Sequence, residues 1–358
     1  MEKTRVAVAM SGGVDSSTTA AILRERGFEV VGLMMRMWSE EGDEFLPNKC
    51  CSPEAVADAR RVCQMLDVPF YLLNVEDEFK ARVVDFFADG YASGITPNPC
   101  LQCNGLIKFG TLMAKARALG AEFLATGHYA RIVQNERGAY ELHQGVDTNK
   151  DQSYALHILT QTQLAHAMFP LGEMTKTETR ARAAEFNLRV ADKDDSQDLC
   201  FIADGNYRNF MRRNRPDALV PGPILDAQGN VLGQHTGLPD YTIGQRKGLG
   251  IASGEALYVT ALDGARNAVI VGRKAELGKR VLIARDVNWI PPELAEQLPL
   301  RASVKIRYRA TAMPAQLVAH DARHVRVEFE APLRDITPGQ AAVFYDGTRC
   351  LGGGIIES

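Results

Sequence analysis

The chain has 358 residues, of which 46% are hydrophobic and 24% charged, and its net charge is −3. At about 150 residues per domain, this length predicts two or three domains with ordinary globular cores. No apolar run approaches the roughly 20 residues that span a bilayer. The opening MEKTRVAVAM holds neither a long apolar stretch nor a small-residue cleavage site, so a cytoplasmic protein with no membrane partner is expected.

The first 200 residues alternate strand and helix patterns. Apolar strands are expected at 6–9, 30–35, 70–75 and 123–126. Helices are expected at 17–26, where Gly27 fits the C-cap, at 53–66 with proline in the first turn, at 78–91, and at 104–119. Such alternation means βαβ units and a parallel sheet, with ligands beyond the C-terminal strand ends. AMSGGVDSS (9–17) and ATGHYA (125–130) both fall at such ends. After about residue 205 the pattern changes. Residues 216–255 are rich in glycine and proline. Short alternating strands then follow at 281–287, 300–308, 315–319, 325–329, 341–345 and 350–356, which predicts a small antiparallel barrel. The expected fold is therefore α/β, with a parallel-sheet domain over 1–205, a small central domain over 206–280 and a C-terminal β-barrel over 281–358.

AMSGGVDSS has the makings of a pyrophosphate loop. Gly12 and Gly13 let backbone N–H groups approach an anion with no Cβ in the way. Ser11, Ser16 and Ser17 add hydroxyls, and the following helix points its positive end at the same spot. Asp15 alone would repel phosphate, so Mg²⁺ bound to pyrophosphate is its expected partner. The string is neither a Walker A loop, since no GK[ST] follows, nor a G-x-G-x-x-G turn.

The seven cysteines are Cys50, Cys51, Cys63, Cys100, Cys103, Cys200 and Cys350. Their odd number and uneven spacing argue against a disulfide scaffold. Cys100 and Cys103 lie in TPNPCLQCNGLIKFG (96–110), ahead of a helix whose N-terminus can depress a thiol pKa. Asn98 and Asn104 offer amide groups to a base edge. Two chemistries stay open on the residues alone. Cys100 and Cys103 could share a metal or iron–sulfur cluster with Cys50, Cys51 or Cys63. Alternatively, Cys103 and Cys200 could form a redox pair in which one carries persulfide sulfur and the other resolves it.

Other strings have a bland and a functional reading. Lys150-Asp151-Gln152 joins a cation to hydrogen-bonding groups, as RNA contact requires, but also reads as a polar turn. His128 can meet phosphate or ribose, or sit satisfied in the core. Met35 can pack on adenine or be plain core. Arg307-Tyr308 sets a cation beside a stacking ring, although strand alternation would send them to opposite faces. Residues 301–326 carry six Lys or Arg against Asp321, and 207–215 carry four Arg and no acid. Both stretches can meet phosphates.

SGGVDS is similar to the signature of the PP-loop ATP pyrophosphatases, adenine nucleotide alpha hydrolase-like enzymes that cleave ATP between the α and β phosphates. With GLMMRMW (32–38), TPNPCLQCNGLIKFG, ATGHYAR (125–131), NKDQSYAL (149–156), DSQDLCFI (195–202), TIGQRKGLGI (242–251), VKIRYRA (304–310) and TPGQAAVFYDG (337–347), the chain resembles the bacterial tRNA 2-thiouridylase family over nearly its whole length.

The resemblance implies ATP-dependent 2-thiolation of the wobble uridine of tRNA, with ATP and Mg²⁺ as cofactors. It implies that Ala9, Met10, Ser11, Gly12, Gly13, Val14, Asp15 and Ser16, with Met35 and Gly127, bind ATP. Cys103 would be the nucleophile and Cys200 the persulfide carrier, the two ending as a Cys103–Cys200 disulfide. Asn98, Pro99 and Cys100 would contact the target base. Lys150, Asp151, Gln152, Arg307 and Tyr308 would contact tRNA. The implied partners are tRNAs for Lys, Glu and Gln and a persulfide sulfur donor. Some members carry Asp where this chain has Cys100.

Overall fold

Strand β1 (Arg5–Met10) runs between β2 (Glu29–Arg36) and β4 (Phe123–Ala125), with β3 (Phe70–Asn74) outside β2. A hairpin, β5 (Ala130–Gln134) and β6 (Tyr140–Gln144), leaves this layer before β7 (Ala167–Met168) returns to close its edge. The order is β3-β2-β1-β4-β7 with every pair parallel. The computed structural model describes residues 3–40, 52–194, 199–321 and 323–358.

Both faces of this sheet are covered, which is why its strands read as nearly continuous apolar runs. The period of two sorts the side chains. Val6, Val8, Met10, Val30 and Met34 join one core with helices α1 (Val14–Glu25) and α2 (Pro53–Met65). Ala7, Val31, Leu33 and Met35 join the other, against the helical runs 76–92 and 99–118. Both runs start earlier than the spacing predicted. The second does so because Asn98 caps it, its side-chain oxygen accepting the Cys100 N–H at 3.1 Å. Each contains a widened π-type stretch, Lys80–Val84 and Cys103–Leu112.

The central segment forms a four-stranded sheet from β8 (Gly222–Leu225), β9 (Val231–His235), β10 (Leu257–Asp263) and β11 (Ala268–Arg273). It has its own small core around Ile224, Val259 and Val271. The last six strands are β12 (Lys279–Trp289), β13 (Leu300–Lys305), β14 (Met313–Ala319), β15 (His324–Leu333), β16 (Ala341–Asp346) and β17 (Arg349–Ile356). They pair antiparallel in the order β12-β15-β14-β13-β16-β17, and β12–β17 closes the barrel. One expected strand is shorter than its pattern. β13 ends at Lys305, so Arg307 and Tyr308 lie in a turn, and the alternation that would have parted them does not apply.

The α/β layer and the barrel are joined by backbone. Strand β6 pairs with β17, Leu142 opposite Cys350 and His143 opposite Arg349.

Candidate active site

The strand order reverses between β1 and β4, the place where ligands meet parallel sheets. The 9–17 loop leaves the C-terminal end of β1 there. Gly12 has φ +71°, and a Cβ on it would lie 2.3 Å from the Ala55 carbonyl oxygen, so glycine is required. Gly13 is the N-cap of α1, and no described side chain caps the helix, which leaves its leading N–H groups for an anion. The serines brace the loop. The Ser11 N–H donates to Ser16 Oγ at 3.1 Å, and the Ser16 and Ser17 hydroxyls donate to the Gly13 carbonyl at 3.2 and 2.9 Å. Gly127, just past β4, presses on this loop from the other side. A Cβ there would lie 2.8 Å from Asp15 Cβ and 3.0 Å from Ser16 N. Met10 and Val14 are buried, and Met35 is buried at the end of β2.

Asp15 has a protein cation for a partner. Lys176, at the start of helix Lys176–Glu185, places Nζ at 2.7 and 2.9 Å from its two carboxylate oxygens. The Tyr129 hydroxyl donates to Oδ1 at 2.8 Å. A second lysine, Lys193, donates to the Gly12 carbonyl at 3.0 Å and to Asp58 at 2.9 Å. The sequence reading missed both lysines. They sit on distant segments, and nothing in their local spacing marks them.

Cys103 is buried at the start of the π-type stretch, and Cys200 is half-buried against the same apolar cluster, which also contains Phe79, Phe87 and Phe201. Cys100 is exposed, Asn98 half-buried and Pro99 buried. Cys63 and Cys350 are buried, and burial pushes their thiols up to about 11 and about 12, which makes them inert packing residues. Cys50 and Cys51 lie outside the described residues. Among the described residues no three His, Cys, Asp or Glu side chains gather as a metal-ligand set.

His128 is buried 3.5 Å from Lys108 Nζ, with Nδ1 2.7 Å from the Thr126 hydroxyl. Burial, reinforced by the Lys108 charge, holds its pKa well below the ordinary value. Burial disfavours the charged ring, so it is poorly suited to pair with phosphate as a cation.

The residues read as tRNA contacts divide. Asp151 is 6% exposed, and its carboxylate accepts from the Gly145 N–H, the Ser153 N–H and the Ser153 hydroxyl at 3.0–3.2 Å. Lys305 of the barrel lies 3.7 Å away. The Gln152 side-chain oxygen accepts the Tyr129 N–H at 3.0 Å. These contacts bind the α/β layer together and, through Asp151, to the barrel, while Lys150 and Gln152 are both half-exposed. Tyr308 is 40% exposed and meets Tyr154 edge-on, ring centroids 6.1 Å apart. Burial, followed by the negative charge of Asp151, pushes the pKa of its hydroxyl up. Arg307 donates to the Thr337 hydroxyl at 2.7 Å.

The arginine run 207–215 is occupied internally. Arg212 pairs with Asp240, Arg213 with Glu40 and Asp204, and Arg215 with Asp89 and Asp217. Arg208 donates to the Asp240 carbonyl. This patch ties the central segment to the first domain instead of presenting bare charge.

No described helix is long and apolar enough to cross a membrane. Residues 4–204 match the family described as tRNA methyl transferase HUP domain, 208–273 the tRNA methyl transferase PRC-barrel domain, and 279–356 the aminomethyltransferase beta-barrel domain. The chain is 53% identical over 356 residues to the tRNA-specific 2-thiouridylase MnmA of Moorella thermoacetica, covering 98% of this chain and 99% of that protein. It is 49% identical over 354 residues to the MnmA of Chloroflexus aggregans, covering 98% of both chains. Against the MnmA of Heliobacterium modesticaldum the identity is 50% over 358 residues, with 99% and 92% covered. Matched from the phosphate loop through the thiols to the last barrel strand, the chain belongs to the tRNA-specific 2-thiouridylase (MnmA) family.

Proposed function

We propose that the protein uses ATP to replace the C2 oxygen of the wobble uridine of tRNA with sulfur. The observation that carries this reading is the helix N-terminus at the switch point of the sheet. No described side chain caps it, Cys103 and Met35 lie in the core on one face of the same sheet, and Cys200 packs against that core.

In the first stage the uridine O2 attacks the α-phosphate of ATP and pyrophosphate leaves. The loop N–H groups and Lys176 stabilise the departing charge. Mg²⁺ accompanying ATP would be held by the phosphates with Asp15, whose Oδ2 faces only Lys176 among its described partners. It would supply charge neutralisation. In the second stage sulfur reaches C2 by one of two routes, and AMP carries off the original oxygen. A Cys200 persulfide attacks C2 directly, and Cys103 then cleaves the mixed disulfide, leaving the thione. Otherwise Cys103 attacks the Cys200 persulfide first and releases hydrosulfide, which attacks C2. Both routes end in a Cys103–Cys200 disulfide that an external dithiol must reduce.

Asn98, Pro99 and Cys100 line the approach to the base, and Lys150, Arg307 and Tyr308 hold the RNA. Where some members of the family carry Asp, Cys100 offers a thiol, so either another group moves the proton or the acid is dispensable. The substrates in this reading are the tRNAs for Lys, Glu and Gln, the sulfur comes from a persulfide donor protein, and the setting is the cytoplasm.

The test is mass spectrometry of nucleosides from tRNA incubated with the protein, ATP and a sulfur source. 2-Thiouridine is expected with wild type. Cys200→Ser is expected to keep tRNA-dependent AMP transfer and lose thiolation, and normal 2-thiouridine from that variant would sink the proposal.

A further inference from the structure

The string Thr337-Pro338-Gly339-Gln340 has no part in the chemistry above, yet it is bonded to several distant residues. Thr337 is 1% exposed, and its hydroxyl donates to the Asp335 carbonyl at 3.0 Å while accepting Arg307 Nη2 at 2.7 Å. The next carbonyl, Pro338 O, accepts the Thr96 N–H at 3.1 Å. Gln340 Nε2 donates to the Thr96 carbonyl at 2.9 Å. Both backbone polar groups of Thr96 therefore end on the barrel. Gly339, at φ +90°, makes this possible. A Cβ on it would lie 2.3 Å from Ile95 Cγ2 and 2.9 Å from the Thr96 carbonyl carbon. The following carbonyl, Ala341 O, accepts the Tyr154 hydroxyl at 3.0 Å, and Tyr154 backs the Tyr308 ring.

One short turn thus grips two sets of residues. On one side are Arg307 and the Tyr154–Tyr308 pair. On the other is Thr96, from which the chain runs through Pro97 and the capping Asn98 into the helix that carries Cys100 and Cys103. Prolines at 97 and 99 stiffen that short run, so a displacement of Thr96 passes directly to the helix start.

We propose that Gln340 is a positioning residue for Cys103: by fixing Thr96 to the turn that holds Arg307, it makes RNA seated on the barrel and the thiol helix one rigid body. The proposal rests on the reading of Cys103 as a sulfur-handling thiol and of Arg307 and Tyr308 as the RNA seat. Gln340 touches neither RNA nor sulfur in this scheme. Its contribution is geometric, and a loss of about an ångström in placement is enough to slow an attack severely.

The experiment compares Gln340→Ala and Gln340→Glu with wild type in the full-length protein. Gln340→Glu keeps the size but sets an acceptor against the Thr96 carbonyl, and it serves if the alanine variant fails to fold. Three quantities are read: 2-thiouridine turnover at saturating tRNA, KM for tRNA, and the iodoacetamide rate of Cys103 mapped by peptide mass spectrometry. Turnover is expected to fall about tenfold, more for Glu than Ala, with KM changed less than about twofold. Cys103 alkylation is expected to rise about threefold or more as the helix start loosens, with Cys63 and Cys350 unchanged. Unchanged turnover and alkylation overturn the proposal. So does a rise in KM with turnover and alkylation unchanged, which would make the turn part of the RNA seat only. If wild type makes no 2-thiouridine, the proposed function has failed, and the alkylation comparison still decides whether Gln340 positions the helix.

Discussion

Lys176 neutralises Asp15 inside the phosphate loop, its Nζ 2.7 and 2.9 Å from the two carboxylate oxygens. The pair is partly shielded, Lys176 at 12% and Asp15 at 33% side-chain exposure. Without Lys176 the loop, proposed to receive the phosphates of ATP, would present a bare negative charge to them. Lys176→Met should lower tRNA-dependent pyrophosphate release by about 10²–10³-fold, the usual cost of removing a stabilising donor from a charged transition state. The stability loss should be modest, about 1 kcal/mol, because the pair is not fully buried. Lys176→Arg should recover part of the rate. A pyrophosphate-release assay beside urea denaturation checks both parts.

Gly127 provides a steric test of the same loop. Gly127→Ala puts a methyl 2.8 Å from Asp15 Cβ and 2.9 Å from the Asp15 carbonyl carbon, so the loop itself must move. ATP affinity should fall about tenfold or more, with about 1–3 kcal/mol of stability lost to overpacking. Titration with ATP and a thermal melt read the two effects, and an unchanged ATP affinity would remove Gly127 from the site.

Acid should destabilise the protein through its buried imidazoles. Burial pulls His157 down to about 4 and holds His128 well below its ordinary value. Below about 6.5 the unfolded chain takes up protons that these folded rings refuse, so acid favours unfolding. The contribution of His157 is complete above about 6.5 and is lost as pH falls toward 4, a change on the order of 1–3 kcal/mol. Urea midpoints measured across this range should show a shallower acid slope for His157→Gln than for wild type. Equal slopes would mean that His157 is protonated in the folded state.

Cys100 is exposed, and the helix cap uses its backbone N–H, not its thiol. Cys100→Ser should therefore fold normally and keep thiolation within about threefold. Cys103→Ser should abolish it while tRNA-dependent AMP transfer continues. Nucleoside mass spectrometry with an AMP assay separates the two, and a dead Cys100→Ser enzyme would move the thiol chemistry one turn along the helix.

Much of this was legible in the sequence because it is local. The string AMSGGVDSS after an apolar strand marks the strand-to-helix turn, and the strands of the barrel follow from alternation. What stayed hidden was carried by contacts between distant segments. Lys176 reads as an ordinary first-turn residue until the fold sets it on Asp15. Asp151 and Gln152 have the composition of an RNA contact, but backbone N–H groups of Gly145 and Ser153 occupy the Asp151 carboxylate, and that of Tyr129 the Gln152 side-chain oxygen. The arginines at 207–215 read as a phosphate patch only because their acids, Glu40, Asp89 and Asp240, lie elsewhere in the chain. Arg307 and Tyr308 read as strand because their pattern continues β13, whereas the chain turns after Lys305.

The pairing of β6 with β17 means that the barrel is no detachable cassette. A fragment ending near residue 205 would carry the β5–β6 hairpin with the β6 edge bare, and Leu142, which is wholly buried in the intact chain, uncovered along it. Such an edge invites self-association. Exchange of barrels between relatives would have to carry this seam of backbone with it, together with the Thr96–Pro338 contact.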